Sequence, residues 1–153
     1  MRILVVGMGL IGGSICKSIK AATSHAVYGC DVQQAVLDDA IADGAIDGTG
    51  TMTDGTYDMI ILCLHQRIAI QMVQEALPKI PAGTILVDTC GLKGRMVRDL
   101  TYRCRKADVR YVGTHPMAGR EKNGYYASIP NLFQNANLIV TPVDGTDEAA
   151  LDT

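Results

Sequence analysis

The stretch Arg2 to Ser14, R-I-L-V-V-G-M-G-L-I-G-G-S, constrains this chain more than any other. Ile3 to Val6 is an apolar, β-branched run of strand length. Gly7, Gly9 and Gly12 follow at G-x-G-x-x-G spacing. The pattern then turns helical, with Ile11, Ile15 and Ile19 on one face. A strand, a glycine turn and a helix in that order predict a turn that cradles phosphate. Gly7 permits the tight exit from the strand, Gly9 lets the backbone approach a pyrophosphate, and Gly12 lets the helix pack closely on the strand. The N–H groups that open the helix, around Leu10 and Ile11, have no intrahelical partner and are expected to face the phosphates.

Asp31 lies 19 positions past Gly12, at the end of a second apolar run, Ala26 to Cys30. A carboxylate there is placed to accept hydrogen bonds from the adenosine ribose hydroxyls. The same residue is also placed to cap a helix starting near Gln33, and the two roles are compatible. Val32 and Gln33 follow, with no arginine to receive a 2′-phosphate, which Asp31 itself would repel. The cofactor expected is therefore NAD rather than NADP.

The remaining elements alternate. Gln33 to Asp43 reads as a helix, with Val36, Leu37, Ala40 and Ile41 inward and Gly44 as its stop. Ala45 to Thr56 is polar and glycine-rich, with Ala45-Ile46 read as a short third strand. Asp58 to Leu64 is nearly all apolar, as in a strand covered on both faces. Arg67 to Leu77 is helical, with Ile68, Met72, Val73 and Ala76 on one side, and is ended by prolines. Thr84 to Val87 is a strand. Lys93 to Arg105 is an amphipathic helix burying Met96, Val97, Leu100 and Cys104, with Arg95, Arg98, Arg103 and Arg105 on a solvated face. Val109 to Val112 and Leu138 to Val140 complete the strands. This rhythm predicts an α/β fold: a Rossmann-like, doubly wound, mostly parallel sheet with helices on both faces. Residues 1–143 are expected to form the nucleotide-binding domain. Residues 144–153 read as a turn and the truncated start of a connecting helix.

Composition narrows the classes. A chain of 153 residues buries a core without disulfides or metals. Net charge is −2, there is no Trp and one Phe, and no basic cluster marks a nucleic-acid or membrane surface. The five cysteines, Cys16, Cys30, Cys63, Cys90 and Cys104, form no C-x-x-C pair and sit in or beside apolar segments. That pattern suits free thiols in a reducing cytoplasm, and no metal-ligand spacing is present. The apolar N-terminus is interrupted by Gly7, unlike a signal peptide or a membrane span.

Ligands of an open parallel sheet sit outside the carboxyl ends of its strands. Three segments are expected there: Leu64-His65-Gln66, Asp88 to Lys93, and Gly113 to Glu121. The third follows a short strand and reads as a shaped loop holding one imidazole, His115. A neutral imidazole can accept the hydroxyl proton that hydride removal from an alcohol carbon releases. Chemistry alone leaves that role level with a plain capped loop histidine.

G-M-G-L-I-G-G-S at Gly7 to Ser14, together with G-T-H-P-M-A-G-R-E at Gly113 to Glu121, resembles the prephenate dehydrogenase family. The segment Asn123 to Pro142 extends the likeness into the next strand. The glycine motif is shared by many dehydrogenases, whereas H-P-M-A-G is far more specific. The resemblance covers nearly the whole chain and only the family's nucleotide-binding domain. The resemblance implies that the family's helical domain, which dimerises and supplies much of the substrate pocket, lies outside this chain. What the resemblance implies is NAD-dependent oxidative decarboxylation of prephenate to 4-hydroxyphenylpyruvate in tyrosine biosynthesis. By position, His115 accepts a hydrogen bond from the C4 hydroxyl, and Glu121 is a pocket-edge or gating residue. Gly7, Gly9, Leu10, Ile11, Gly12, Asp31, Leu64 and His65 surround the cofactor. Many family members carry D-x-x-S-x-K, with the serine near substrate and histidine. Here that position is Gly91, so either a water, Thr89 or Thr114 takes its place or the polarising contact is weaker, while Lys93 is kept. His65 stands where proline is common and is expected to shape the cofactor loop.

Arogenate is the alternative substrate. A 3-hydroxyacid dehydrogenase is a second enzyme reading, which H-P-M-A-G disfavours. A module that binds NAD(H) without catalysis is the alternative from another class, and the isolated chain is expected to turn over little or nothing. Calorimetric titration of the chain should show tighter binding of NAD than of NADP; the reverse order would overturn the reading of Asp31.

Overall fold

A computed structural model describes residues 1–55, 57–143 and 145–153 of the chain. The elements alternate as expected: β1 (Arg2–Val6), α1 (Leu10–Ala22), β2 (Ala26–Cys30), α2 (Gln34–Ala42), β3 (Gly48–Thr49), β4 (Met59–Leu62), α3 (Gln66–Ala76), β5 (Ile85–Asp88), α4 (Lys93–Lys106), β6 (Arg110–Pro116), β7 (Leu138–Thr141) and α5 (Glu148–Leu151). The sheet has the order β3-β2-β1-β4-β5-β6-β7. Pairings from β3 through β6 are parallel, and β7 joins β6 antiparallel. The strand order reverses between β1 and β4, which makes their carboxyl ends the switch point of the fold.

The strands are buried on both faces, so their alternate residues enter two cores. Leu4, Val6, Ile60, Leu62 and Leu86 pack with Ala69, Val73, Met96, Leu100 and Cys104 of α3 and α4. Ile3, Val5, Val27 and Ile61 pack with Cys16, Leu37 and Ala40 of α1 and α2. A smaller cluster joins Ile85 and Val112 to Ala150 of α5. The Rossmann-like architecture is thus the one expected, and no helix among the described residues is long and apolar enough to cross a membrane.

Three local expectations fail for identifiable reasons. Ala45-Ile46 is no strand: Gly44 sits at φ +67°, with its N–H on the Ile41 carbonyl and the Ala45 N–H on the Ala40 carbonyl. That is a Schellman cap, and the buried Ala45 and Ile46 supply its apolar contact, while the third strand forms two residues later. Ile41 and Ile68 were expected inward but are 46% and 49% exposed. In α3 the buried stripe is Ala69, Ile70, Val73 and Ala76, so Ile68 stands on the neighbouring ridge. Strand β6 runs on to Pro116, because β7 pairs with its last four residues, Gly113 to Pro116. His115 is therefore a strand residue opposite Ile139 rather than part of a loop. The turn expected at the start of 144–153 begins on Asp144, outside the described residues, as does Thr56 at the end of the glycine-rich stretch. The helix start after that turn is present as α5, capped by the Asp147 carboxylate on the Ala149 N–H.

Leu100→Ala should lower stability in urea unfolding by about 3 kcal/mol through the cavity it opens, whereas Ile68→Ala should cost less than about 1 kcal/mol. Equal losses would mean that the helix faces are assigned wrongly.

Candidate functional site

The parallel register ends in one row. Val6 pairs Leu62, Leu62 pairs Asp88, and Asp88 pairs Gly113. Whatever follows those four residues therefore lies at the carboxyl edge: the glycine turn, Cys63 to Gln66, Thr89 to Lys93, and Thr114 to Pro116. Four of the segments singled out in the sequence meet here, although they are far apart along the chain.

The glycine turn is built by backbone pressed on backbone. Gly7 has φ +93°, and a Cβ there would lie 2.5 Å from the Cys63 carbonyl oxygen. A Cβ on Gly12 would lie 1.9 Å from the Gly7 carbonyl oxygen. Packing alone thus excludes side chains at both positions. Gly9 differs: it is the N-cap of α1 with φ −78°, and a Cβ there meets nothing within 4 Å. The protein's own packing does not require that glycine, so its small size fits a group approaching from outside. No side chain caps α1, and no acidic residue stands in its first turn, which leaves the amino end electropositive. These are the properties of a pyrophosphate cradle, and a dinucleotide fits the residues present.

Asp31 is tied to this turn. Its Oδ2 accepts the Met8 N–H at 2.7 Å, and its Oδ1 accepts the Gln33 N–H at 3.0 Å. The N-cap of α2 is Gln33, not Asp31. Each carboxylate oxygen retains lone-pair capacity for a ribose hydroxyl. Leu64 packs against Gly7, where a Cβ would come within 2.8 Å of its Cδ2. His65 is exposed and is the N-cap of α3, without a side-chain cap bond.

At the other half of the edge, Nδ1 of His115 lies 3.2 Å from the Thr89 carbonyl oxygen. A carbonyl only accepts, so this contact assigns the proton to Nδ1 and leaves Nε2 as the accepting nitrogen. Gly91 sits beside the ring: a Cβ there would be 3.4 Å from Cε1 and 3.6 Å from Nε2. The glycine keeps that side of the imidazole open. The hydroxyls suggested to replace a serine at this point are spent elsewhere. Thr89 donates to the Leu62 carbonyl at 3.1 Å and Thr114 to the Asp88 carbonyl at 2.7 Å. Lys93 turns inward, its ammonium on the fully buried Asp88. Glu121 is exposed on the segment after β6.

An apolar cavity of about 340 Å³ opens next to these groups, lined by Ile15, Val87, Thr89, Thr114, Pro116 and Phe133 among others. A larger groove of about 620 Å³ lies between α3 and α4, around Leu77, Arg98 and Tyr102. It is built on the carboxyl halves of both helices, which run back toward the amino edge. The thiols are poor nucleophiles. Burial, reinforced by the Asp88 carboxylate, pushes Cys90 up to about 11, and burial pushes Cys63 up to about 12. Burial and the same carboxylate hold the Tyr111 phenol far above its ordinary range, so it donates to Asp88 at 2.7 Å. Asp88 was expected at this edge only as the first residue of its segment, without a role, and Tyr111 was not expected in the site. An aspartate ending an apolar strand with a lysine five positions on was the available signal.

The chain matches the family model described as prephenate dehydrogenase, nucleotide-binding domain, over residues 15–153. It is 31% identical over 144 residues to the prephenate dehydrogenase of Lactococcus lactis, covering 92% of this chain and 40% of that protein. The crystal structure of prephenate dehydrogenase from Aquifex aeolicus, in complex with hydroxyphenyl propionate and NAD+, superposes with a TM-score of 0.90 at 30% identity, covering 99% of this chain and 54% of that one. Arogenate dehydrogenase from Synechocystis gives a TM-score of 0.88 at 27% identity, with coverage of 99% and 54%. The chain spans about half the length of these relatives.

The different reasons for the glycines are separable by experiment. Gly12→Ala should lower unfolding stability by at least about 2 kcal/mol, since backbone must move to admit the methyl group. Gly9→Ala should cost about 1 kcal/mol or less yet weaken NAD binding in calorimetry on the order of tenfold, the loss of one backbone hydrogen bond to the pyrophosphate. Unchanged NAD affinity in Gly9→Ala would remove Gly9 from the cradle.

Proposed function

We propose a function that starts from one fact: the chain belongs to the prephenate dehydrogenase family, as its nucleotide-binding domain. The protein that carries it is an NAD-dependent oxidoreductase acting on prephenate, with arogenate as the alternative because relatives bearing both names align along nearly the whole chain. Residues 1–143 are the nucleotide-binding domain, and residues 144–153 are the start of a connecting helix, α5, whose Ala150 packs on Ile85 and Val112.

Bound NAD supplies the hydride acceptor. The α1 amino end and the glycine turn hold the pyrophosphate, and Asp31 accepts from the adenosine ribose. Leu10, Ile11, Leu64 and His65 border the cofactor. His115 accepts the proton of the C4 hydroxyl at Nε2 as the hydride leaves C4. Loss of the ring carboxylate as carbon dioxide then makes the ring aromatic, and the phenolic oxygen takes the proton back. The gain of aromaticity supplies the driving force, so the protein's task is orientation and proton acceptance. Thr114 and Gly91 shape the wall beside the imidazole, Lys93 supports it from within, and Glu121 borders the pocket entrance. The carrying observation is the Thr89 carbonyl on Nδ1 of His115, which frees Nε2 at the same edge as the glycine turn. The protein that carries this chain completes the pocket with a helical domain outside it and forms a homodimer through that domain. The chain alone binds NAD with little turnover, and the protein works in the cytoplasm.

The test follows NADH absorbance with the protein that carries this chain, on prephenate, arogenate and a 3-hydroxyacid. Turnover of the hydroxyacid alone would overturn the substrate class. His115→Asn should lower kcat by a factor on the order of 100 or more; an unchanged kcat would refute the role of the imidazole.

A further inference from the structure

Asp88 ends β5 with no solvent exposure, and three donors converge on its carboxylate. They are the Cys90 N–H at 2.9 Å, the Tyr111 hydroxyl at 2.7 Å, and the Lys93 ammonium. A buried ion pair is a weak source of stability, because desolvation offsets most of the attraction. Its geometric consequence is more specific. The Cys90 N–H belongs to the same peptide group as the Thr89 carbonyl. In a trans peptide these two groups point in opposite directions, and the chain has no cis bond among its described residues. The Asp88 carboxylate thus grips one side of the peptide plane, and His115 Nδ1 donates to the other. Hydrogen bonds in such a chain polarise one another, so the carboxylate also strengthens the carbonyl as an acceptor. Thr89 is anchored to the Leu62 carbonyl through its own N–H and hydroxyl, but neither bond sets the plane of the following peptide.

We propose that Asp88 is a positioning residue that reaches His115 through the Thr89–Cys90 peptide, holding the imidazole in the Nδ1–H form with Nε2 as acceptor. The inference rests on the reading of His115 as the proton acceptor. Lys93 and Tyr111 serve it by holding the carboxylate in place. Gly113, on which a Cβ would lie 3.3 Å from the Tyr111 hydroxyl and 3.6 Å from Asp88 Oδ2, leaves room for the group.

Imidazole ¹⁵N shifts and amide exchange, read on the unaltered chain at a pH where His115 is neutral, need no variant. The expected result is a single Nδ1–H tautomer and a Cys90 amide protected well beyond a loop amide. An Nε2–H tautomer, or a freely exchanging Cys90 amide, overturns the proposal. Asp88→Leu combined with Lys93→Met removes the acceptor without stranding a buried cation. It should mix the tautomers and lower kcat on the order of 100-fold, with the KM for NAD little changed. Asp88→Asn combined with Lys93→Met restores an acceptor for the Cys90 N–H and should recover the single tautomer and about tenfold of the rate. If the double variant carrying Asp88→Leu and Lys93→Met folds and keeps the Nδ1–H tautomer, the proposal is overturned as well. Because tautomer and exchange are read without substrate, failure to oxidise prephenate would refute the functional reading and leave these measurements to decide this one.

Discussion

The structure depends on how closely two turns approach each other at the switch point. The Gly7 carbonyl faces the place where a Cβ of Gly12 would be, and the Cys63 carbonyl faces the place where a Cβ of Gly7 would be. No rotamer change relieves a clash with backbone atoms, so both positions are closed to side chains. The close approach brings the amino end of α1 against the ends of β1 and β4. It also exposes the first N–H groups of the helix in the crevice where the strand order reverses. Asp31 then locks the turn from the neighbouring strand through the Met8 N–H.

The second half of the edge is organised by a charge instead of by contact. Asp88 is enclosed by its own turn, by Tyr111 on β6 and by Lys93 at the start of α4. Its backbone carbonyl also holds the Thr114 hydroxyl, one residue before His115. The imidazole is therefore set by β5 and β6 together, and β7 fixes its backbone by pairing His115 with Ile139. A rigid strand position gives a more exact placement than the loop expected for it. In the proposed function the two halves take different parts of the chemistry, phosphate recognition and proton acceptance, on a common row of strand ends.

Much of this was legible residue by residue. The glycine spacing, the apolar runs and Asp31 located β1, α1, β2 and the cofactor turn, because those signals are local. H-P-M-A-G located His115, and the resemblance it carried matches the family to which the chain belongs. The misreadings have separate causes. Ala45 and Ile46 look like a strand because apolar pairs serve strands and helix caps alike. Ile41 and Ile68 look buried because periodicity names a ridge without naming the face that a neighbour covers. Thr89 and Thr114 looked available as hydroxyl donors because nothing in the sequence reveals that the Leu62 and Asp88 carbonyls already accept from them.

By itself, the sequence determined most of the strands and helices, the third strand and the end of β6 apart, and that they wind into a mostly parallel sheet, since each rests on short-range periodicity and steric demand. It also determined where the glycine turn lies, because the spacing is local, although the Cys63 carbonyl that closes Gly7 to a side chain stands far along the chain. Only the tertiary structure decided the antiparallel seventh strand, the strand setting of His115 and the enclosure of Asp88. Each of these depends on partners far apart along the chain, and pairing at that distance is chosen by packing and hydrogen-bond satisfaction across the whole sheet.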